Sequence, residues 1–262
     1  MTLPLYQVDA FSDVLFHGNP AAVVPLDAWL PDEVMQAIAE ENNMAETAFY
    51  VRKNDHYHIR WFTTVCEVDL CGHATLATAH VLFHHEGHIG EQVIFDSRSG
   101  PLGVRRDGDR LVLDFPVDVL HPVVLPEGLA RALGCAPRET FRGKDDLLLV
   151  YGKQADIAAM DPDFSLIARI PCRGVIVTAP GDHVDFVSRF FGPQSGIPED
   201  PVTGSAHTTL VPYWAKVLDK TAFSAQQISK RGGTLQCTLL GDRVAIAGHA
   251  VTYLRGTVTV PV

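Results

Sequence analysis

Apolar and polar positions alternate over residues 5–11, and short apolar or strand-forming runs recur along the rest of the chain, so short strands are predicted. Runs rich in Val, Ile, Thr and aromatic residues, bounded by Gly, Pro and Asn, recur from the first ten residues to the last ten. One amphipathic helix is predicted from Pro31 to about Glu41, with acidic residues in its first turn. The predicted strands span residues 5–11, 21–24, 45–51, 57–62, 93–95, 111–115, 147–150, 174–178, 185–191, 234–239, 243–247 and 251–260.

Two more helices are predicted to begin at a repeated motif, Leu-Cys-Gly-His-Ala-Thr at 70–75 and Val-Thr-Gly-Ser-Ala-His at 202–207. Each motif follows an Arg-aromatic-aromatic step and an acidic residue, Glu67 or Glu199. The first helix, 72–83, has no polar face and should be buried all round by a curled sheet. The second, 204–218, contains Pro212, which predicts a kink or a later start.

This internal repeat predicts two similar halves, each ending its motif at a helix N-terminus. Such a terminus offers backbone N–H groups and about half a positive charge. Two of them aimed at one site would hold a carboxylate or a developing enolate. The pattern therefore favours an enzyme acting on a small acid.

A proline-rich stretch at 115–126 is the predicted linker between the halves. We therefore predict an N-terminal half over 1–117 and a C-terminal half over 118–250. The final strand, about 251–262, could return to the first half, since chain termini often lie close together.

Composition narrows the function classes. The chain has 262 residues, 47% of them hydrophobic, and a net charge of -10 without basic clusters, which argues against nucleic-acid and membrane partners. Five scattered cysteines indicate free thiols in a reducing compartment, so we expect a cytoplasmic protein. The first nine residues lack signal-peptide features, and no apolar run approaches the roughly 20 residues of a membrane span. A small anionic substrate remains compatible with these properties.

Four segments in order resemble the phenazine-biosynthesis PhzF-like isomerase family. They are Phe-His-Gly-Asn-Pro at 16–20, Met-Ala-Glu-Thr-Ala-Phe at 44–49, Leu-Cys-Gly-His-Ala-Thr-Leu at 70–76 and Glu-Asp-Pro-Val-Thr-Gly-Ser-Ala at 199–206. The resemblance implies a diaminopimelate-epimerase-like α+β fold: two pseudo-symmetric halves, each a curled, barrel-like mixed sheet around a central helix, with the site in the cleft between them. It also implies no cofactor, no metal and a homodimer.

The same resemblance assigns the site residues. By motif position, the catalytic glutamate that moves a carbon-bound proton is Glu46. Other catalytic positions fall on His73 and Asp200. Predicted substrate-binding residues are Asn19, Gly72, Gly204 and Ser205.

Each of these residues also has a purely structural interpretation. A strand carboxylate such as Glu46 serves as a carbon-acid base only where burial raises its pKa, and otherwise it simply faces solvent. At a helix start, His73 would stay neutral and could shuttle protons, or it could merely satisfy backbone groups. Asp200 and Ser205 are ordinary capping residue types, and Asn19 suits a turn.

A cysteine and a histidine cluster each have two interpretations. Related epimerases use a cysteine at each helix start, but only Cys71 is present here, so a packed small side chain is favoured over a catalytic thiol. His80 and His84 have one-turn metal spacing, but the cluster with His85 and His88 is interpreted as a solvated helix end.

The sequence therefore predicts a cofactor-independent isomerase that moves a carbon-bound proton on a small carboxylate-bearing substrate. Glu46 is its predicted acid/base. The alternatives are an amino-acid epimerase or racemase, which needs two opposed bases, and a noncatalytic small-acid-binding protein. Which group among Glu46, His73 and Asp200 delivers the second proton stays open.

Overall fold

The structure, a computed structural model, describes residues 1–260. These residues form two compact units. Unit 1 comprises Met1–Asp114 together with the chain from Ala247 onward, and unit 2 comprises Phe115–Ile246. Both units mix strands with helices, which confirms the predicted α+β class. Residues 261 and 262 of the predicted last strand lie outside the described residues.

The elements as far as the first boundary are β1 (Thr2–Ala10), β2 (Asn19–Leu26), α1 (Asp32–Asn42), β3 (Glu46–Lys53), β4 (His56–Phe62), β5 (Glu67–Val68), α2 (Gly72–His84), β6 (Gln92–Ser97), β7 (Gly100–Asp107) and β8 (Arg110–Pro116). Those that follow are β9 (His121–Pro122), α3 (Leu129–Leu133), β10 (Glu139–Arg142), β11 (Leu147–Val150), α4 (Gln154–Ala158), α5 (Phe164–Ile167), β12 (Val175–Pro180), β13 (Phe186–Gly192), a 3-10 turn (Pro193–Ser195), β14 (Ile197–Asp200), α6 (His207–Leu218), β15 (Ala222–Gln227), β16 (Gly233–Leu240), β17 (Arg243–Gly248) and β18 (Ala250–Thr259).

The two units repeat one strand pattern. In unit 1, β2 pairs parallel with β3, β3 antiparallel with β4, β4 parallel with β6, and β6 antiparallel with β7. In unit 2 the order β11, β12, β13, β15, β16 shows the same sequence of parallel and antiparallel pairings. A short strand, β5 or β14, folds back on the third member just before the central helix. The repeated motif therefore marks a repeated topology.

A partly buried arginine–glutamate pair recurs at the same point of each unit. Arg60 on β4 donates two hydrogen bonds to Glu67 on β5, at 2.7 and 2.6 Å. Arg189 on β13 donates two to Glu199 on β14, at 2.7 and 3.0 Å. A planar guanidinium fits a carboxylate in this bidentate way, so each pair fixes the short strand that leads into the motif.

The central helix of unit 1, α2, is buried along nearly its whole length, as its composition predicted. It packs against β1, β2, β3, β7 and β18. Its two threonines avoid unsatisfied hydroxyls because Thr75 donates to the Cys71 carbonyl at 2.6 Å and Thr78 to the Ala74 carbonyl at 2.7 Å. β18 pairs antiparallel along β1, which closes this side of the unit's sheet.

The central helix of unit 2 begins later than residue 204, the predicted start. The N–H groups of His207, Thr208 and Thr209 bond three residues back, so residues 204–206 form a tight turn and α6 begins at His207. Pro212 lies inside the helix without ending it. The Thr208 carbonyl, which loses its helical donor to the proline, accepts the N–H of Asp118 at 3.1 Å instead.

Among residues 1–260, no helix is both long enough and apolar enough to cross a membrane.

Candidate functional site

Glu46 and His73 meet at the head of the central helix of unit 1. Glu46 is the first residue of β3, opposite Ala21 of the parallel strand β2, and His73 is the second residue of α2. Oε2 of Glu46 lies 3.2 Å from Nε2 of His73, with side chains only 12% and 6% exposed. At this distance the two groups are in direct contact. The structure thus brings together the two residues that the motifs nominated first.

Asn19 holds the other side of the His73 ring. Its Nδ2 lies 3.2 Å from Nδ1 of His73, and the Asn19 residue is fully buried. Gly18 makes this approach possible: its φ is +69°, and a Cβ there would lie 2.2 Å from the Ala10 carbonyl oxygen. With the Asn19 amide oriented this way, its N–H donates and Nδ1 accepts. The neutral ring then carries its proton on Nε2, beside Glu46.

His73 is neutral in the folded protein. Burial lowers its pKa from 6.5 to about 3. A neutral imidazole can orient a carboxylate by hydrogen bonding without adding a positive charge, and it leaves Glu46 as the charged partner of the pair when that carboxyl is ionised.

Cys71 completes a three-residue cluster. It is the N-cap residue of α2, and its Sγ lies 3.5 Å from Nδ1 of His73. One ligand atom each from Glu46, Cys71 and His73 lies within 4.8 Å of the other two. Among residues 1–260, these three side chains are the group that could hold a metal ion.

The first turn of α2 supplies backbone donors next to this cluster. The side chain of Cys71 makes no capping hydrogen bond to that turn. The N–H groups around Gly72 and His73 therefore point out of the helix start with the positive end of its dipole. Stabilisation of an anion at the first motif stays a prediction.

In unit 2, the loop between β14 and α6 is held by a buried amide. Asp200, the last residue of β14, accepts a short hydrogen bond from the Thr203 hydroxyl. Gln227 of β15 donates to the Asp200 carbonyl at 2.7 Å and accepts from the Thr203 N–H at 2.8 Å. Gln227 is fully buried, so Asp200 is held in a fixed loop. The sequence motifs predict no site role for either Thr203 or Gln227.

Gly204 and Ser205 lie in the tight turn before α6 and not in a helical first turn, because the helix starts at His207. The Ser205 hydroxyl accepts a hydrogen bond from Nη2 of Arg173 at 3.1 Å. Arg173 is itself held by two hydrogen bonds to Asp146, one of 2.9 Å from Nε and a shorter one from Nη2. Sequence reasoning missed both Arg173 and Asp146, because no motif marks them and their partners lie far away along the chain.

The histidine cluster at the end of α2 is only partly solvated, because His84 is exposed and His80 is not. His80 is buried, and burial lowers its pKa to about 3. The rings of His80 and His85 each place Nε2 within 2.9 Å of the Thr252 hydroxyl on β18. These histidines join the helix to the returning strand, so the predicted solvated position is wrong for His80.

Comparison with known proteins identifies the family. The profile of the PhzC-PhzF family, described as phenazine biosynthesis-like protein, matches residues 8–256. An uncharacterized isomerase of Pseudomonas aeruginosa is 55% identical over 98% of this chain and 99% of its own length.

Solved structures show the same fold. A PhzF-family crystal structure from Enterococcus faecalis aligns with a TM-score of 0.96 at 47% identity, covering 99% of this chain and 100% of that chain. A hydroxyproline epimerase from Agrobacterium vitis shares the fold at 11% identity, with a TM-score of 0.65 over 98% of this chain and 91% of that chain. The predicted family and the epimerase-type fold are confirmed. The chain belongs to the phenazine biosynthesis-like (PhzC-PhzF) family, and it is an isomerase.

Proposed function

We propose that this isomerase moves a carbon-bound proton on a small carboxylate-bearing substrate without a cofactor, with Glu46 as the acid/base. The observation that carries the proposal is the contact of the largely buried His73 ring with Glu46 on one side and Asn19 on the other, at the N-terminus of α2. It combines a carboxylate, a neutral hydrogen-bond donor and backbone N–H groups, which are the parts that carbon-acid chemistry needs.

Glu46 is the base in this proposal because it is the carboxylate of these three residues and keeps a small exposed fraction through which a substrate can reach it. The ionised carboxylate takes a proton from a carbon next to the substrate's carboxylate or conjugated system. The electron pair of the broken C–H bond moves into that system and forms an enolate-type anion. Glu46, now protonated, returns a proton to a different carbon.

His73 orients the base. Its pKa of about 3 keeps the ring neutral at physiological pH. A neutral ring is a poor acceptor of a full proton but a good donor of one hydrogen bond. We therefore infer that His73 positions Glu46 and the developing anion by hydrogen bonding. In the alternative mechanism, His73 or Asp200 delivers the second proton directly.

The anion is stabilised by the backbone N–H groups around Gly72 and His73 at the head of α2. Loss of one such donor typically costs about 3–4 kcal/mol of transition-state stabilisation. In unit 2, Gly204 and Ser205 are the proposed carboxylate-binding residues, with the Ser205 hydroxyl oriented by Arg173. The joint use of both motifs, the homodimer and the cytoplasmic location stay predictions.

Product analysis in deuterated water tests this function. A panel of small unsaturated carboxylic acids and amino acids is incubated with the chelator-treated enzyme and followed by NMR and ultraviolet spectroscopy. Double-bond migration, with deuterium or the substrate's own proton at a new carbon, supports the proposal. Deuterium at the original carbon with inverted configuration supports the epimerase or racemase alternative. Binding with no chemical change contradicts the proposed proton transfer, and activity that requires an added metal contradicts cofactor independence.

A further inference from the structure

The head of α2 also carries three potential metal ligands. They belong to Glu46, Cys71 and His73, each of which offers one ligand atom within 4.8 Å of the other two. We propose that these three side chains bind Zn²⁺, and that the bound ion inhibits the isomerase. This inference goes beyond the proposed function, which uses Glu46 and His73 without any metal and gives Cys71 no part.

The donor types select the ion. A thiolate, an imidazole nitrogen and a carboxylate oxygen together suit Zn²⁺, whereas Mg²⁺ and Ca²⁺ prefer all-oxygen sites. A thiolate and a carboxylate also bring two negative charges, which balance the charge of the ion in a largely buried place. Binding releases the thiol proton and moves the ring proton of His73 from Nε2 to Nδ1, so the Asn19 amide turns to accept it through Oδ1.

The distances are close to those of a tetrahedral site. Zinc bonds of about 2.0–2.3 Å place ligand atoms about 3.3–3.7 Å apart. Nε2 of His73 and Oε2 of Glu46 are 3.2 Å apart, and Nδ1 of His73 and Sγ of Cys71 are 3.5 Å apart. These two contacts use different nitrogens of the His73 ring, whereas a zinc ion between Glu46 and Cys71 would bind only one of them. Ligand atoms up to 4.8 Å apart therefore have to approach one another by about 1 Å, which a small side-chain rotation allows.

Zinc and the proposed chemistry exclude each other. The ion would occupy the carboxylate oxygen and the ring nitrogen that the proposed function gives to proton transfer. Three protein ligands leave the fourth zinc position to water. The consequence is a protein that binds Zn²⁺ reversibly and loses its proton-transfer activity while the ion is bound.

The histidines further along α2 supply the competing explanation for any zinc binding. His80 and His85 are both engaged with Thr252, and His84 stacks on His80 with ring centroids 4.3 Å apart. Cys66 is an exposed thiol that could bind metal nonspecifically. The variants His84→Gln and Cys66→Ser are therefore matched controls for the variants of the proposed site.

The test is zinc titration of the full chain, freed of metal, in competition with a chromophoric chelator. One equivalent of Zn²⁺ should bind, with Mg²⁺ and Ca²⁺ unable to compete. Cys71→Ser, Glu46→Gln and His73→Gln should each weaken binding by at least about 100-fold, the upper end of what loss of a supporting partner around a metal costs. Cys66→Ser and His84→Gln should bind as the unsubstituted chain does. Undiminished binding in Cys71→Ser, or loss of binding in His84→Gln, overturns the assignment.

Spectroscopy of the unsubstituted chain keeps the test independent of how the variants fold. Co²⁺ in the site should show a sulfur-to-cobalt charge-transfer band, and ¹¹³Cd NMR should report one sulfur ligand. A cadmium signal without sulfur overturns the proposal.

The inhibition is tested separately. On any substrate that exchanges hydrogen in deuterated water, Zn²⁺ should abolish exchange and a chelator should restore it. Bound zinc with unchanged exchange contradicts the inhibition and leaves the proposed function intact. Exchange that appears only with zinc contradicts both.

Discussion

The Asn19 amide nitrogen lies 3.2 Å from Nδ1 of His73 and fixes the ring so that Nε2 faces Glu46. One buried amide, at the turn that Gly18 makes possible, thereby decides which nitrogen of a buried imidazole carries the proton. The tautomer in turn decides whether Glu46 meets an N–H donor or a lone pair. The proposed role of His73 depends on this relationship.

The tautomer of His73 can be measured directly. Nitrogen NMR at pH 7 should show His73 neutral, with its proton on Nε2 and Nδ1 unprotonated. In Asn19→Asp the new carboxylate accepts a hydrogen bond, so it should move the proton to Nδ1 or charge the ring, and turnover should fall at least about 100-fold. A ring protonated on Nδ1 in the unsubstituted chain contradicts the account.

Three buried histidines predict a steep loss of stability in acid. Burial lowers the pKa of His73 and His80 from 6.5 to about 3, and that of His207 to about 4. The unfolded chain therefore binds more protons below pH 6.5, and stability falls as the pH drops from 6.5 towards 4. If all three contribute fully, the slope is about 4 kcal/mol per pH unit.

Denaturant unfolding at pH 7, 6 and 5 measures this slope. His80→Gln should reduce it by about 1.4 kcal/mol per pH unit, since one proton is removed from the difference. Ile89 is 97% exposed and does not titrate, so Ile89→Gln provides the control and should leave the slope unchanged. A stability that stays flat down to pH 5 is incompatible with these neutral histidines.

The Arg173–Asp146 pair predicts a stability coupling in unit 2. Asp146 is buried, and burial raises the pKa of its carboxyl despite the neighbouring guanidinium. Arg173→Gln leaves this carboxylate without its cation and should destabilise the chain by about 2–3 kcal/mol, less than for a fully buried pair because Arg173 is 41% exposed.

A double-mutant cycle measures that coupling. Asp146→Asn combined with Arg173→Gln should recover most of the stability lost in the single Arg173→Gln variant. Strict additivity of the two changes would show that the pair is not coupled. Arg173→Gln should also weaken substrate binding through Ser205, seen as a raised KM with a smaller change in kcat.

Helices and strands with a strong hydrophobic pattern could be predicted from the sequence. The apolar run that became α2 has no polar face, and its burial follows directly from that composition. α1 ends at Asn42, one residue beyond the predicted Glu41, because Asn43 adopts the left-handed conformation that terminates helices. Strands with weak patterns were missed, among them β7, whose Gly100 and Gly103 dilute the alternation, and β15.

The start of α6 shows why boundaries were harder. Gly204 and Ser205 suit a helix N-terminus, but the tight turn at 204–206 delays the helix by three residues. Local composition does not distinguish these two structures.

Supporting contacts were the part that the sequence did not predict. The motifs nominated Glu46, His73 and Asn19, whose proximity arises from three separate elements. Arg173 and Gln227 act on residues 32 and 24 positions away, Ser205 and Thr203, and no local pattern announces such a pair.

The most direct test of the central claim is hydrogen exchange by Glu46→Gln. A glutamine keeps the shape of the side chain but cannot accept the carbon-bound proton. With a substrate found by the product analysis, Glu46→Gln should lose deuterium exchange by at least about 10³-fold while still binding a product analogue, and the exposed Glu41→Gln should exchange at the unsubstituted rate. Exchange in Glu46→Gln at a rate close to that of Glu41→Gln would contradict the role of Glu46 as the acid/base.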